Sequence, residues 1–144
     1  EKWYPLASTN RNKPVRGDLR LKTEYLSPER QIVPGGKVCV TVVEARNLVS
    51  RDSNGFSDPF CIVKLGKQED RTDVVWGHLD PVWVQDFTFG VSSITDKVLV
   101  EVWDKGNLMD EYMGEASVPM YKIRTGAVFD EWLPLISTKK QKEK

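Results

Sequence analysis

The sequence has little of the material that metal-cage, disulfide-rich or membrane-spanning proteins use. One histidine and two cysteines among 144 residues cannot by themselves form a closed zinc site or a disulfide scaffold. No apolar run approaches the roughly 18 residues of a membrane-spanning helix. Lysine plus arginine balances aspartate plus glutamate at 21 each, which argues against a nucleic-acid-binding surface. No catalytic triad, Cys/His pair or phosphate-binding glycine loop is recognisable, so we expect no enzyme activity.

The material for one folded core is present. Hydrophobic residues make up 40% of the chain and include five Trp, five Phe and four Tyr. A chain of this length is expected to form a single domain. Cys39 and Cys61 both stand in apolar runs, where a thiol packs as a small hydrophobe, so we expect both to be buried.

Short runs of alternating apolar and polar residues recur along the chain, and no amphipathic helical pattern lasts three turns. This pattern predicts an all-β fold of about eight antiparallel strands. The strands should pack as a two-sheet sandwich, because one open sheet would leave an apolar face in water. The predicted strands are 19–25, 37–45, 59–65, 70–76, 83–89, 97–103, 114–120 and 128–135, with one short helix near 120–126.

A short repeat bears on the domain boundaries. Residues 3–9 and 132–138 are identical at five of seven positions. The repeat indicates that 1–16 is a linker or the closing strand of a preceding, similar domain, and an extra arm of this domain is the alternative. We therefore assign the sandwich to 17–136 and a charged tail to 137–144.

Acidic residues gather in alternate connections of the predicted sandwich. Alternate connections of an antiparallel fold lie at the same end, which places 49–58, 76–81 and 104–114 together. Clustered carboxylates repel one another, and Ca²⁺, which accepts six to eight oxygens, is a natural counter-ion. The alternative is that Asp, Asn and Gly serve there as ordinary turn formers. The carboxylates are Asp52, Asp58, Asp104, Asp110 and Glu111.

Three strings in these segments resemble the C2 domain family, the membrane-targeting module of protein kinase C and synaptotagmin. They are LVSRDSNGFSDPF at 48–60, LDPVW at 79–83 with Phe87 and Phe89, and VWD at 102–104 with MGE at 113–115. The resemblance covers about 17–136. It implies an eight-stranded antiparallel Greek-key sandwich of synaptotagmin-type topology, whose loops at one end bind Ca²⁺ and phospholipid. It also implies that the domain is one unit of a chain with several C2 domains.

The resemblance carries over to the calcium ligands only in part. Asp52 and Asp58 match the two aspartates of the first C2 loop, and Asp104 matches the first aspartate of the third. Gly106 stands where the family has a central aspartate, and Glu111 replaces another, with Asp110 beside it. The resemblance therefore implies weak calcium binding at one principal site, and Gly106→Asp is expected to strengthen it.

Two further sets of residues are candidates for lipid contact. Phe56, Leu108 and Met109 are apolar residues within the acidic loops, and such side chains can enter the acyl boundary of a bilayer. Lys64, Lys67 and Arg71 resemble a basic strand that binds phosphoinositide headgroups in some C2 domains, although Glu69 and Asp70 interrupt it.

These observations predict a calcium-dependent phospholipid-binding module with a weakened calcium site. Its expected partner is an anionic membrane surface, which it reaches as a peripheral, cytoplasmic domain that is monomeric within a larger chain. The alternative is a calcium-independent C2 domain that acts in protein interaction or membrane tethering. Neither reading includes a nucleic-acid partner.

Overall fold

The structure is a computed structural model that describes residues 14–26, 35–50, 55–123 and 125–138. Its strands are β1 (Asp18–Tyr25), β2 (Lys37–Arg46), β3 (Pro59–Leu65), β4 (Gln68–Arg71), β5 (Val82–Gly90), β6 (Lys97–Asp104), β7 (Glu111–Pro119) and β8 (Val128–Pro134). They form two four-stranded antiparallel sheets, ordered β5-β2-β1-β8 and β4-β3-β6-β7. The predicted eight-stranded antiparallel sandwich is confirmed.

The main departure from the predicted strands is β4, which ends at Arg71 rather than at residue 76. The Thr72 hydroxyl accepts the Cys61 backbone N–H at 2.8 Å, so a side chain takes the place of the next backbone acceptor and the regular ladder stops. The predicted short helix is a single 3-10 turn, Met120–Lys122. No helix in the described ranges has the length and apolar character needed to pass through a bilayer.

The core lies between the sheets and follows the alternation of the strands. Val40 and Val42 of β2 and Val100 of β6 are wholly buried, as expected for residues at every second position. Cys61 points into this core, and burial raises the pKa of its thiol. Cys39 instead lies on the other face of its strand and is only partly buried, so the prediction that both thiols are buried is wrong for Cys39. Both cysteines are free thiols.

Residues just outside the predicted domain boundaries contact the sandwich. Val15 packs against the core, and the Arg16 guanidinium donates to the Asn47 carbonyl at 3.1 Å. Beyond the C-terminal boundary, the Thr138 hydroxyl donates to the buried Glu115 carboxylate at 2.8 Å. Of the segment 1–16, predicted to be a linker or the closing strand of a preceding domain, residues 1–13 lie outside the described residues.

Strand β5 carries a bulge where it pairs with β2. Trp83 and Val84 together face the single residue Val43 between the pairs Gln85–Val42 and Val82–Glu44. Val84 has φ of +49°, a left-handed conformation that β-branched residues very rarely adopt. The Trp83 side chain is buried, whereas its neighbours Val82 and Val84 are exposed. The Trp83 indole N–H donates to the Asp73 carbonyl at 3.0 Å.

We expect Val84→Asn to stabilise the domain, because asparagine tolerates the left-handed conformation and Val84, 62% exposed, loses little packing. The free energy of unfolding should rise by about 1 kcal/mol, measured by denaturant unfolding. Val82→Asn is the matched control, since Val82 is 59% exposed and is not among the positive-φ residues. If the free energy of unfolding rises for both substitutions, or for neither, the interpretation that the backbone is strained at position 84 is contradicted.

Candidate functional site: three loops at one end of the sandwich

Three connections meet at one end of the sandwich, as the connection order predicted. The first loop spans 47–58, of which 51–54 lie outside the described residues, the second spans 72–81 and the third 105–110. The His78 backbone N–H of the second loop donates to the Ser57 carbonyl of the first at 2.9 Å. Below we call this region the loop end.

Asp58 joins all three loops through hydrogen bonds. Its backbone N–H donates to Asp104 Oδ1 at 2.8 Å, and its Oδ1 accepts the Gly77 N–H of the second loop at 2.7 Å. Its carbonyl accepts the Lys105 N–H of the third loop at 2.9 Å. Asp104 is 3% exposed at the end of β6. A bond from an N–H group to a carboxylate is stronger than a neutral hydrogen bond, so these contacts fix the relative positions of the loops.

The third loop is closed by its own side chains. Asp110 Oδ1 accepts the Gly106 N–H at 3.0 Å and lies 3.7 Å from the Lys105 ammonium. Gly106 also approaches the Met109 carbonyl so closely that a Cβ at position 106 would collide with that oxygen. An aspartate at position 106 would thus require a third loop of different shape. The expectation that Gly106→Asp strengthens calcium binding assumed the present loop shape, so this structure does not support it.

The predicted calcium ligands are brought together only in part. Asp58 and Asp104 lie side by side, and Glu111 of β7 pairs with Asp104 in the β6–β7 register. Asp110 instead binds within its own loop, and Asp52 lies outside the described residues. The part of the chain that the structure describes contains no group of three or more His, Cys, Asp or Glu side chains placed to hold a metal ion. The described members of the predicted ligand set therefore do not form a calcium site by themselves.

The predicted apolar loop residues are exposed at the loop end. Phe56 of the first loop is 47% exposed, Met109 of the third is 67% exposed, and Leu108 protrudes fully. The structure adds Trp76 of the second loop, whose side chain is 66% exposed. The sequence placed Trp76 where the predicted strand 70–76 and the predicted connection 76–81 overlap, and it was not among the predicted lipid-contacting residues.

Two of the basic candidates, Lys64 and Lys67, lie away from the acidic tips of the loop end, whereas Arg71 directly precedes the second loop. Lys64 projects from β3 and its Nζ lies 3.4 Å from Oε1 of Glu101, a carboxylate buried on β6. The Arg71 guanidinium lies over the Phe60 ring, 5.3 Å from its centroid. Lys67 is exposed in the turn between β3 and β4, at the opposite end of the sandwich. The three do not form one basic surface beside the acidic loops, and their role in headgroup binding stays a prediction.

Comparison with known proteins agrees with this architecture. A model of the C2 domain family matches residues 36–135, which is more than half of the chain. The chain is 41% identical over 116 residues to a C2 and GRAM domain-containing protein of Arabidopsis thaliana, covering 75% of the chain and 11% of that protein. It is 30% identical over 129 residues to human extended synaptotagmin-1, covering 85% of the chain and again 11% of the relative. The chain therefore belongs to the C2 domain family, and it spans about a tenth of the length of these relatives.

Solved structures show the same fold. A C2 domain of RIM from Drosophila superposes with a TM-score of 0.72 at 23% identity, covering 85% of this chain and 100% of that one. A calcium-bound structure of two C2 domains of extended synaptotagmin 2 gives a TM-score of 0.59 at 20% identity, covering 72% of this chain and 45% of that one. At these identities the likeness concerns the fold.

We expect Gly106→Ala to open the third loop, because the added methyl group meets the Met109 carbonyl oxygen. The free energy of unfolding should fall by about 1 kcal/mol, and the amide at position 106 should exchange faster with solvent. Asn107→Ala, an exposed neighbour in the same loop, is the control and should change neither quantity. If the amide at position 106 exchanges at the same rate in the parent and Gly106→Ala proteins, the close approach of Gly106 to the Met109 carbonyl is not needed to keep the loop closed.

Proposed function

We propose that the domain is a non-catalytic, phospholipid-binding module that docks on a bilayer with its loop end. The observation that carries the proposal is the exposure of Phe56, Leu108 and Met109 at the same end of the sandwich. Large apolar side chains that protrude from polar loops lose unfavourable hydration when they enter a lipid interface. Family membership adds support, because membrane association is a common task of C2 domains and a synaptotagmin and an extended synaptotagmin are among the relatives.

The loop tips can contribute free energy to docking without a metal ion. Full burial of one such side chain contributes about 1.5–3 kcal/mol. Leu108 and Met109 are adjacent and both exposed, while Phe56 is about half exposed, so docking buries most of two side chains and part of a third. The flanking Lys105, 45% exposed, then lies at headgroup height, where its ammonium can pair with a lipid phosphate.

Calcium dependence forms a second, separate part of the proposal. Two described carboxylates, those of Asp58 and Asp104, remain together at the loop end, and hard oxygen ligands of this kind suit Ca²⁺. We propose that they contribute to one weak calcium position. The neighbouring Asp110 is already engaged by Lys105 and Gly106, which disfavours a second ion.

The closed third loop also favours a calcium-independent mode of action. Lys105 places a positive charge beside Asp110, as a bound cation would, and the Gly106 N–H satisfies the same carboxylate oxygen. Leu108 and Met109 are thus presented by contacts within the protein. In this mode the domain tethers its parent chain to a membrane, or to a protein partner, at any calcium level.

The remaining parts of the proposal concern context. We propose a peripheral, cytoplasmic domain that is monomeric within a longer chain and makes no contact with nucleic acid. The balanced charge, with 21 basic and 21 acidic residues, supports the last point. The relatives, which are about ten times longer than the matched region, support the presence of further domains.

We expect the double variant Phe56→Asp, Met109→Asp to bind phospholipid vesicles at least roughly 100-fold more weakly than the parent protein in a sedimentation assay, because two apolar anchors are lost. Ile94→Asp with Tyr121→Asp is the matched control. It adds the same charge at exposed apolar residues of the opposite end and should preserve binding. An equal loss from both pairs would point to charge repulsion rather than to loop insertion.

We expect calorimetric titration to detect one calcium ion with Kd of about 10⁻⁴ M or weaker, since few carboxylates are available. Asp104→Asn should abolish this binding while its amide oxygen still accepts the Asp58 N–H. Asp96→Asn, in the connection between β5 and β6 at the opposite end, is the control. Two tightly bound ions would contradict the proposed ligand set. If the titration detects no calcium binding and the domain still binds vesicles in the presence of chelator, the calcium-independent mode is supported.

A further inference from the structure

Trp76 is a large aromatic side chain that the fold leaves in solvent. It is 66% exposed, although burial of a tryptophan would contribute more to the core than burial of most other residues. It lies in a turn within the second loop, next to Gly77. The Gly77 N–H donates to Asp58 Oδ1 at 2.7 Å, so the backbone beside Trp76 is fixed to the centre of the loop end.

The other tryptophans of the described ranges each have a structural contact. The indole N–H of Trp83 donates to the Asp73 carbonyl at 3.0 Å, and that of Trp103 donates to Glu101 at 3.2 Å. The Trp132 ring lies under the Arg46 guanidinium at 4.0 Å. Within the same described ranges, no hydrogen bond, ring stacking or cation–π contact involves the Trp76 side chain. No contact of these three kinds therefore accounts for a tryptophan at this position.

We propose that Trp76 is a further membrane anchor, which enters the headgroup boundary of a phospholipid bilayer beside the first and third loops. This inference rests on the proposed membrane docking and adds the second loop to it. An indole combines a large apolar ring with one N–H donor, and side chains of this kind favour the boundary between acyl chains and headgroups. The tips Phe56, Trp76 and Leu108 then come from three loops that Asp58 holds together.

The shape of the loop end favours a bilayer over a protein as the occupant. Leu108 is fully exposed, so it is a projecting tip rather than part of a groove or flat face. A protein partner would need a matching pocket for each separate tip, whereas a fluid bilayer closes around any projecting apolar group. Burial of Trp76 is also independent of headgroup charge, so its contribution should be similar on zwitterionic and anionic vesicles.

The experiment measures tryptophan fluorescence and vesicle binding together. The probes are vesicles of phosphatidylcholine alone or with phosphatidylserine, each prepared with ordinary or brominated acyl chains, because bromine quenches an indole that reaches the chains. The proteins are the parent, Trp76→Phe and Trp76→Ala. Tyr121→Ala is the control, since Tyr121 is a comparably exposed aromatic residue at the opposite end.

We expect brominated lipid to quench the parent protein, and Trp76→Phe to bind the same vesicles without this quenching. Trp76→Ala should bind about tenfold more weakly on both lipid mixtures, with an unchanged melting temperature, and Tyr121→Ala should bind like the parent. Equal quenching of the parent and Trp76→Phe, or full binding by Trp76→Ala, would overturn the role of Trp76 and leave the proposed docking intact. Weaker binding by Trp76→Ala without quenching of the parent would also overturn insertion. A parent protein that binds none of these vesicles, with calcium or with chelator, would overturn the membrane function itself.

Discussion

The hydrogen bonds of Asp58 are the constraint on which the loop end depends. Its N–H and its carbonyl bind the consecutive residues Asp104 and Lys105 at the entry to the third loop, and its carboxylate binds Gly77 in the middle of the second loop. Loops tied in this way act as one rigid surface rather than as three independent tethers. A rigid surface loses less conformational entropy on docking, because its side chains are already arranged.

The third loop is held in shape by contacts within the protein. Lys105 supplies the positive charge and Gly106 supplies both an N–H donor and the space for a tight turn. The exposed ion pair itself contributes little to stability, so its role is to set the shape of the loop. The apolar tips follow from that shape, since Leu108 and Met109 project where the loop folds back.

Much of this structure could be predicted from the sequence, and the failures have physical causes. Alternation of apolar residues predicts β2, β3 and β6 almost to the residue, because one face of each strand is buried. It fails at β4, where the Thr72 hydroxyl takes over a ladder hydrogen bond that no periodicity reveals. Trp76 stands where the predicted strand 70–76 and the predicted connection 76–81 overlap, so its exposure could not be predicted from the pattern. The order of connections placed Asp58 beside Asp104, but the local turn of Asp110 toward Gly106 depends on backbone shape that a resemblance does not encode.

The neighbouring positions of the first and last strands have a mechanical consequence. The start of β1 and the end of β8 are adjacent and antiparallel, with Asp18 opposite Pro134 and the Leu135 N–H bonded to the Gly17 carbonyl. A load applied between residues 16 and 136 acts across this pair and not along it. We expect such a load to unzip the hydrogen bonds one at a time at low force, after first pulling Ile136 from its bridge to Glu115. Traction on the chain would therefore loosen the β1–β8 edge before it strains the β3–β6 pair.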